Sequence, residues 1–259
     1  MDTPGLHSVA RSDTTLIGSW EVLPHPTVAE LVAGLGYDFV GIDVEHSPAS
    51  FETLANVLRA VDAADGDAET LVRVQDDDPT TLSRTLDLGP DAILVPMVHT
   101  AEQAERIVDA TRYPPAGSRG VGPGRASDYG RSLGEYVEAA EETFATHVQL
   151  ESEQAIDNAA DIAAVDGIDG VFIGPMDLSL AMGCFGEWET DRFVDAVEHV
   201  LAVARDAEVA VGTFATSESE RAQRLAWDVD YLVAGVDVLH LTAGATEALE
   251  HSRSVLEGR

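Results

Sequence analysis

Eight short apolar segments alternate with helical faces along this chain, and few architectures accept that rhythm. The strand-like segments are residues 16–20, 38–43, 70–74, 92–95, 146–150, 170–173, 209–212 and 231–234. Between them apolar residues recur at spacings of three and four, as in Phe51, Leu54, Ala55 and Leu58, or Phe193, Ala196, Val197, Val200, Leu201 and Ala204. That spacing predicts helices with one buried face. Thr27 and Pro79 read as helix starts, and Gly34, Gly89 and Pro90 as stops; the last helix is expected from about Val236 onward. Eight alternations in 259 residues predict an α/β fold of the closed (β/α)8 TIM barrel type. An open doubly wound sheet more often has five or six strands. Nothing resembles a linker, so residues 1–259 are read as one barrel domain. The longest irregular stretch, residues 111–130, mixes Pro and Gly with Arg112, Arg119 and Arg125 and is expected to be an active-site loop.

The net charge is -32, and the acidic residues are spread over the whole chain. Such a surface repels phosphates, so no nucleic-acid partner is expected. All fifteen basic residues are Arg. An evenly acidic, lysine-free surface is expected of a halophilic protein kept soluble in concentrated salt, where repulsion is screened. Without lysine no Schiff base forms, which excludes lysine-dependent aldolases, pyridoxal phosphate enzymes and P-loop phosphotransfer. No apolar run approaches the roughly 20 residues of a membrane span, and no leader is apparent, so no membrane association is expected. The single Cys184 fits a reducing, cytoplasmic setting.

In such a barrel the chemistry gathers where strands end at their C-terminal edge. There the second strand yields Asp43, Glu45 and His46, the third Arg73, the fifth Glu151, and the sixth leads into Gly174, Pro175, Met176 and Asp177. Glu151 and Asp177 would repel each other unless a proton or cation lies between them; a divalent metal answers this, though both also suit helix caps. With no His pair at helical spacing and one isolated Cys, oxygen ligation of Mg²⁺ or Mn²⁺ is favoured over zinc. Asp43 lies three residues before His46, so its carboxylate is expected to hold the imidazole as in an acid/base dyad.

Six blocks carry a family resemblance: Ile-Asp-Val-Glu-His-Ser-Pro (42–48), Leu-Val-Arg-Val (71–74), Leu-Val-Pro-Met-Val (94–98), Arg-Tyr-Pro-Pro-Ala-Gly-Ser-Arg-Gly-Val-Gly (112–122), Val-Gln-Leu-Glu (148–151) and Gly-Pro-Met-Asp-Leu-Ser (174–179). In order and spacing they resemble the HpcH/HpaI aldolases, metal-dependent pyruvate aldolases of the phosphoenolpyruvate/pyruvate-binding barrel superfamily. The resemblance implies reversible cleavage of a 4-hydroxy-2-oxo acid into pyruvate and an aldehyde. It also implies that Glu151 and Asp177 hold Mg²⁺, Mn²⁺ or Co²⁺, that Arg73 binds the keto acid, and that His46 with Asp43 moves protons. Gln149, Gly174 and Pro175 would line the pyruvate pocket. Hexamers built from dimers that exchange the last helix are implied as well, with Asp87 near a neighbouring subunit's site. Met176 stands where the family often has Ala, and Pro123-Gly124 shortens the loop after Gly122, so the aldehyde pocket is expected to differ. Two other readings stay open. One is an acyl-CoA lyase of the same superfamily, with Arg112, Arg119 and Arg125 as a basic rim; the other is a non-catalytic metal and keto-acid binding protein.

Overall fold

The computed structural model describes residues 4–258. Eight parallel strands close into a barrel in chain order: β1 (Leu16–Glu21), β2 (Phe39–Asp43), β3 (Glu69–Arg73), β4 (Ala92–Val95), β5 (Ala145–Leu150), β6 (Gly170–Ile173), β7 (Ala210–Phe214) and β8 (Tyr231–Val236). All eight expected strands are present, with ends displaced by at most two residues. The helices are α1 (Pro26–Ala33), α2 (Phe51–Ala63), α3 (Pro79–Leu86), α4 (Ala101–Thr111), α5 (Leu133–Thr143), α6 (Glu153–Asp157), α7 (Ala159–Ala163), α8 (Pro175–Ala181), α9 (Asp191–Ala207), α10 (Glu218–Leu225) and α11 (Asp237–Glu257). They outnumber the strands because the crossovers after β4, β5 and β6 each contain two helices.

Period-two alternation sorts each strand into a face toward the lumen and a face toward the helices. Along β1, Leu16 and Trp20 join Phe39, Leu71, Leu94, Phe172, Tyr231 and Val233 in the lumen core. Ile17 on the opposite face packs on the larger barrel–helix core. Trp20 needs room there, and Gly41 on β2 supplies it: a Cβ at Gly41 would lie 2.2 Å from the indole. Helix α9 shows how the outer layer is held. Its Phe193, Ala196, Val197, Val200, Leu201 and Ala204 are all buried, and each large apolar side chain contributes roughly 1.5–3 kcal/mol.

An aspartate precedes every even-numbered strand and closes the N-terminal edge of the barrel. Asp38 accepts from the Ile17 N–H, Asp91 from Thr70, Asp169 from Thr146 and Asp230 from Val211, at 2.7–2.8 Å. Each bond satisfies an N–H near the start of the preceding odd-numbered strand, a group that would otherwise be left unpaired at the edge of the sheet. At the same end Leu6 and Val9 plug the lumen, and the Leu6 N–H is held by Glu69 Oε2 at 2.6 Å.

Residues 112–130 differ from expectation. They run along this N-terminal end, away from the catalytic mouth, because the partners of their arginines lie at helix C-termini and in strand-leading turns. Arg112 pairs with Asp166 at 2.9 Å, Arg119 with Asp87 at 2.9 Å, and Arg125 with Asp62 and the Leu88 carbonyl. Arg119 is buried, with its guanidinium over the faces of Tyr113, Tyr136 and Phe144. The stretch is therefore not an active-site loop of its own barrel. Its arginines are neutralised in place and form no basic rim around the mouth, which removes the feature an acyl-CoA substrate would need.

Candidate active site

The C-terminal edge of the barrel brings the predicted residues together on β2, β3, β5 and the start of α8. Strand pairing sets Asp43 directly beside Arg73. The Arg73 guanidinium donates from Nε to Asp43 Oδ1 at 3.1 Å and from Nη2 to Oδ2 at 2.8 Å, a two-pronged bond. Its Nη1 lies 3.1 Å from Glu45 Oε2, and the cation sits 5.3 Å from the Trp20 ring centroid. Burial works against the charge on Arg73, but Asp43 and Glu45 outweigh it and keep the guanidinium protonated.

This arrangement corrects the expected dyad. Asp43 does not orient the His46 imidazole, because its oxygens are taken by Arg73 and by the N–H groups of Glu45 and His46 at 3.0 and 3.2 Å. The carboxylate thus shapes the turn and pins the arginine. The imidazole projects into solvent, 70% exposed, with Nε2 3.8 Å from Glu45 Oε2. Glu45, which the same strand exit displays in the sequence, is the acid that meets both Arg73 and His46. Burial raises its pKa, and the Arg73 charge opposes that rise.

Glu151 follows β5 and is almost fully buried. Its Oε1 accepts from the Met97 N–H at 2.9 Å and its Oε2 from the Gln149 amide. Burial pushes its pKa up to about 7, helped by the charges of Asp177 and Glu45. A buried carboxylate with the charges of Asp177 and Glu45 in its field fits a bound cation, which would hold Glu151 ionised. A donor set of Glu151 and Asp177 is hard and anionic, which would suit Mg²⁺ or Mn²⁺. Among the described residues no third His, Cys, Asp or Glu completes a protein-only metal cage. Gly174 belongs to this fit. A Cβ there would lie 2.7 Å from Gln149 Nε2 and 2.8 Å from Glu151 Oε2, so only glycine leaves both side chains where they stand. Pro175 is buried and opens α8, which presents Asp177 in its first turn.

Two contributors were not read from the sequence. Met97 holds Glu151 through a backbone with φ of 55°, a left-handed conformation uncommon for a side-chain-bearing residue and concentrated at functional sites. The Gln103 amide fixes it by donating to the Met97 carbonyl at 3.2 Å. Glu21 ends β1 fully buried, and neither carboxylate oxygen has a partner. An acid at a strand exit was a legible signal for Glu21; Met97 stood in the 94–98 block, but nothing there marked its backbone as the partner of Glu151.

A (β/α)8 barrel with carboxylates and an arginine gathered at its C-terminal mouth has the layout of a barrel enzyme's active site. The sequence profile of the HpcH/HpaI aldolase/citrate lyase family matches residues 16–243, and the chain belongs to that family. It is 38% identical to the 4-hydroxy-2-oxovalerate aldolase of Novosphingobium aromaticivorans, over 98% of this chain and 97% of that protein. It is 40% identical to the 4-hydroxy-2-oxo-heptane-1,7-dioate aldolase of Salmonella typhimurium, over 90% and 88% of the two chains. The crystal structure of an HpcH/HpaI aldolase/citrate lyase family protein from Burkholderia cenocepacia superposes with a TM-score of 0.90 at 34% identity, covering 95% and 97% of the two chains. No helix among the described residues is long and apolar enough to cross a membrane.

Proposed function

We propose that this protein is a class II aldolase that cleaves a 4-hydroxy-2-oxo acid between C3 and C4 into pyruvate and an aldehyde, and also runs the reverse addition. The observation that carries the reading is the Glu151–Asp177 pair facing the same mouth as the Arg73–Asp43–Glu45 cluster, in a chain without lysine. The names of the similar aldolases support it. Glu151 and Asp177 would hold a divalent cation, which when bound would supply Lewis-acid polarisation of the keto acid. Arg73 offers positive charge to the carboxylate and to the oxygen on which charge develops as the bond breaks. Asp43 keeps that guanidinium in one orientation. Gln149, Gly174 and Pro175 form the wall against which pyruvate rests. The exposed His46 ring takes the proton of the C4 hydroxyl, and Glu45 stabilises the imidazolium that results. In a non-catalytic binding protein His46 would be idle.

The deciding experiment is a retro-aldol assay on 4-hydroxy-2-oxovalerate. Activity is expected to vanish on rigorous chelation and to return with Mn²⁺, Mg²⁺ or Co²⁺. Full turnover without metal overturns the mechanism, and metal-restored binding without turnover leaves the non-catalytic reading.

The oligomer belongs to the same proposal. Beyond Asp237, only Val238 packs, partly buried, on the lumen core of its own barrel, and α11 exposes Leu239, Leu241, Leu249, Val255 and Leu256. A 21-residue helix in that state has too little packing to be stable by itself, so α11 lies on a second subunit, within a hexamer of exchanged dimers. Deleting residues 239–259 is expected to lower the sedimentation coefficient to that of a monomer. An unchanged value would exclude exchange of this helix as the basis of assembly.

A further inference from the structure

Residues 96–100, which join β4 to α4 at the mouth, are tied to the exit of β5 by three contacts. The Val98 N–H donates to the Gln149 carbonyl at 3.3 Å, the Met97 N–H donates to Glu151 Oε1 at 2.9 Å, and His99 Nδ1 lies 2.8 Å from Ser152 Oγ. A single side chain holds the segment from its other side. Gln103, in the first turn of α4, accepts at Oε1 from the His99 N–H at 2.9 Å. Its Nε2 donates to the Met97 carbonyl at 3.2 Å and to Asp77 Oδ2 at 3.0 Å. Only the amide oxygen can face the His99 N–H, so the side chain has one orientation and all three bonds are consistent with it.

Helix capping accounts for half of this arrangement. Thr100 Oγ1 accepts from the Gln103 N–H at 3.2 Å, and a side-chain oxygen returned to the backbone ahead of the helix is the reciprocal half of a capping motif. A glutamate would serve that purpose equally. Only an amide adds the two donors that reach Met97 and Asp77, and capping makes no use of them. Met97 is where they matter, because its φ of 55° is a conformation that a side-chain-bearing residue keeps only where its surroundings impose it. Its N–H is held by Glu151 and its carbonyl by Gln103.

We infer that Gln103 is a positioning residue for the metal site: through the Met97 backbone it fixes the Glu151 carboxylate, while Asp77 anchors the amide from the loop after β3. The inference rests on the aldolase reading above, in which Glu151 holds the cation. The plane of that carboxylate is set between the Met97 N–H on Oε1 and the Gln149 amide on Oε2. Without the Gln103 donors Met97 relaxes toward an ordinary φ, which swings its N–H away from Oε1 and frees the carboxylate to rotate. A ligand that must be reoriented at each binding event holds its cation more weakly.

The test measures Mn²⁺ affinity directly, without substrate, from the EPR signal of the free ion at one KCl concentration. Gln103→Glu keeps an oxygen for His99 and removes both donors. It is expected to weaken Mn²⁺ binding about tenfold, the lower end of the range for residues that orient a metal ligand. Adding Met97→Gly is expected to recover most of that loss, because glycine takes a positive φ without strain, whereas adding Met97→Ala is expected to recover none. If Gln103→Glu does not fold, Gln103→Met, uncharged and of similar length, is read in the same way. Unchanged affinity in the single variant overturns this inference and leaves the aldolase reading standing. So does a loss that Met97→Gly fails to recover, or that Met97→Ala recovers equally, since Gln103 would then act by another route than that backbone. Absence of Mn²⁺ binding by the wild type sinks the aldolase reading, and this inference with it.

Discussion

Arg73→Lys is expected to lower kcat/KM by about 10² to 10³, the usual consequence of losing an aligned donor to developing negative charge. The substitution conserves charge, so the loss reports geometry. Three guanidinium nitrogens face two carboxylates at 2.8–3.1 Å, a fork that a single ammonium cannot reproduce. Lysine also gives up the contact with Trp20, 5.3 Å below the guanidinium, and leaves one carboxylate of the buried cluster short of a partner. Steady-state kinetics on a 4-hydroxy-2-oxo acid, with metal affinity measured in parallel, separate the causes. A fall in kcat with metal binding intact is the expected pattern. Near wild-type turnover would show that Arg73 only supports the fold.

Stability is expected to fall by about 2 kcal/mol as pH rises from 6.5 to 8 in the metal-loaded protein, and Glu21→Gln is expected to abolish that fall. Glu21 is buried without a hydrogen-bond partner, and burial, with Asp237 beside it, pushes its pKa from 4.5 up to about 8. The folded state therefore keeps its proton where the unfolded state has lost it. Between 4.5 and 8 each pH unit removes about 1.4 kcal/mol of stability, and above 8 the loss is complete. His147 acts with the opposite sign. Fully buried with Nδ1 2.6 Å from the Tyr231 hydroxyl, it is held neutral by burial, its pKa lowered from 6.5 to about 4. Its contribution is present above 6.5 and is lost as pH falls toward 4. The two slopes cancel between about 4.5 and 6.5, which leaves the alkaline decline as the signature of Glu21. Chemical unfolding of both proteins across this range decides the matter; parallel profiles would mean that Glu21 ionises freely.

The barrel was legible because its signals are local. Apolar periodicity switches between two and 3.6 within a few residues, and no other common fold accommodates eight such switches. Local signals also located the site, since Asp43, Arg73, Glu151 and Asp177 each end or follow an apolar strand. The aspartates before β2, β4, β6 and β8 were equally visible in the sequence, although their purpose appears only when the N–H group each one accepts from is known.

Closure of the barrel decided the rest. Proximity in sequence suggested that Asp43 serves His46, but strand register puts Arg73 across from it, and a two-pronged ion pair on the neighbouring strand outcompetes a side chain three residues away. Residues 112–130 have the composition of an active-site loop, yet Asp62, Asp87 and Asp166, which hold its arginines, all lie at the opposite end of the barrel. The strained Met97 backbone and the orphaned Glu21 carboxyl depend on which distant residues surround them. The chain alone determined its strands, its helices and the residues at its catalytic edge, because period and strand ends are properties of neighbours in sequence. Which charge pairs with which, and what is buried, only the tertiary structure decided, because those depend on contacts made across strands.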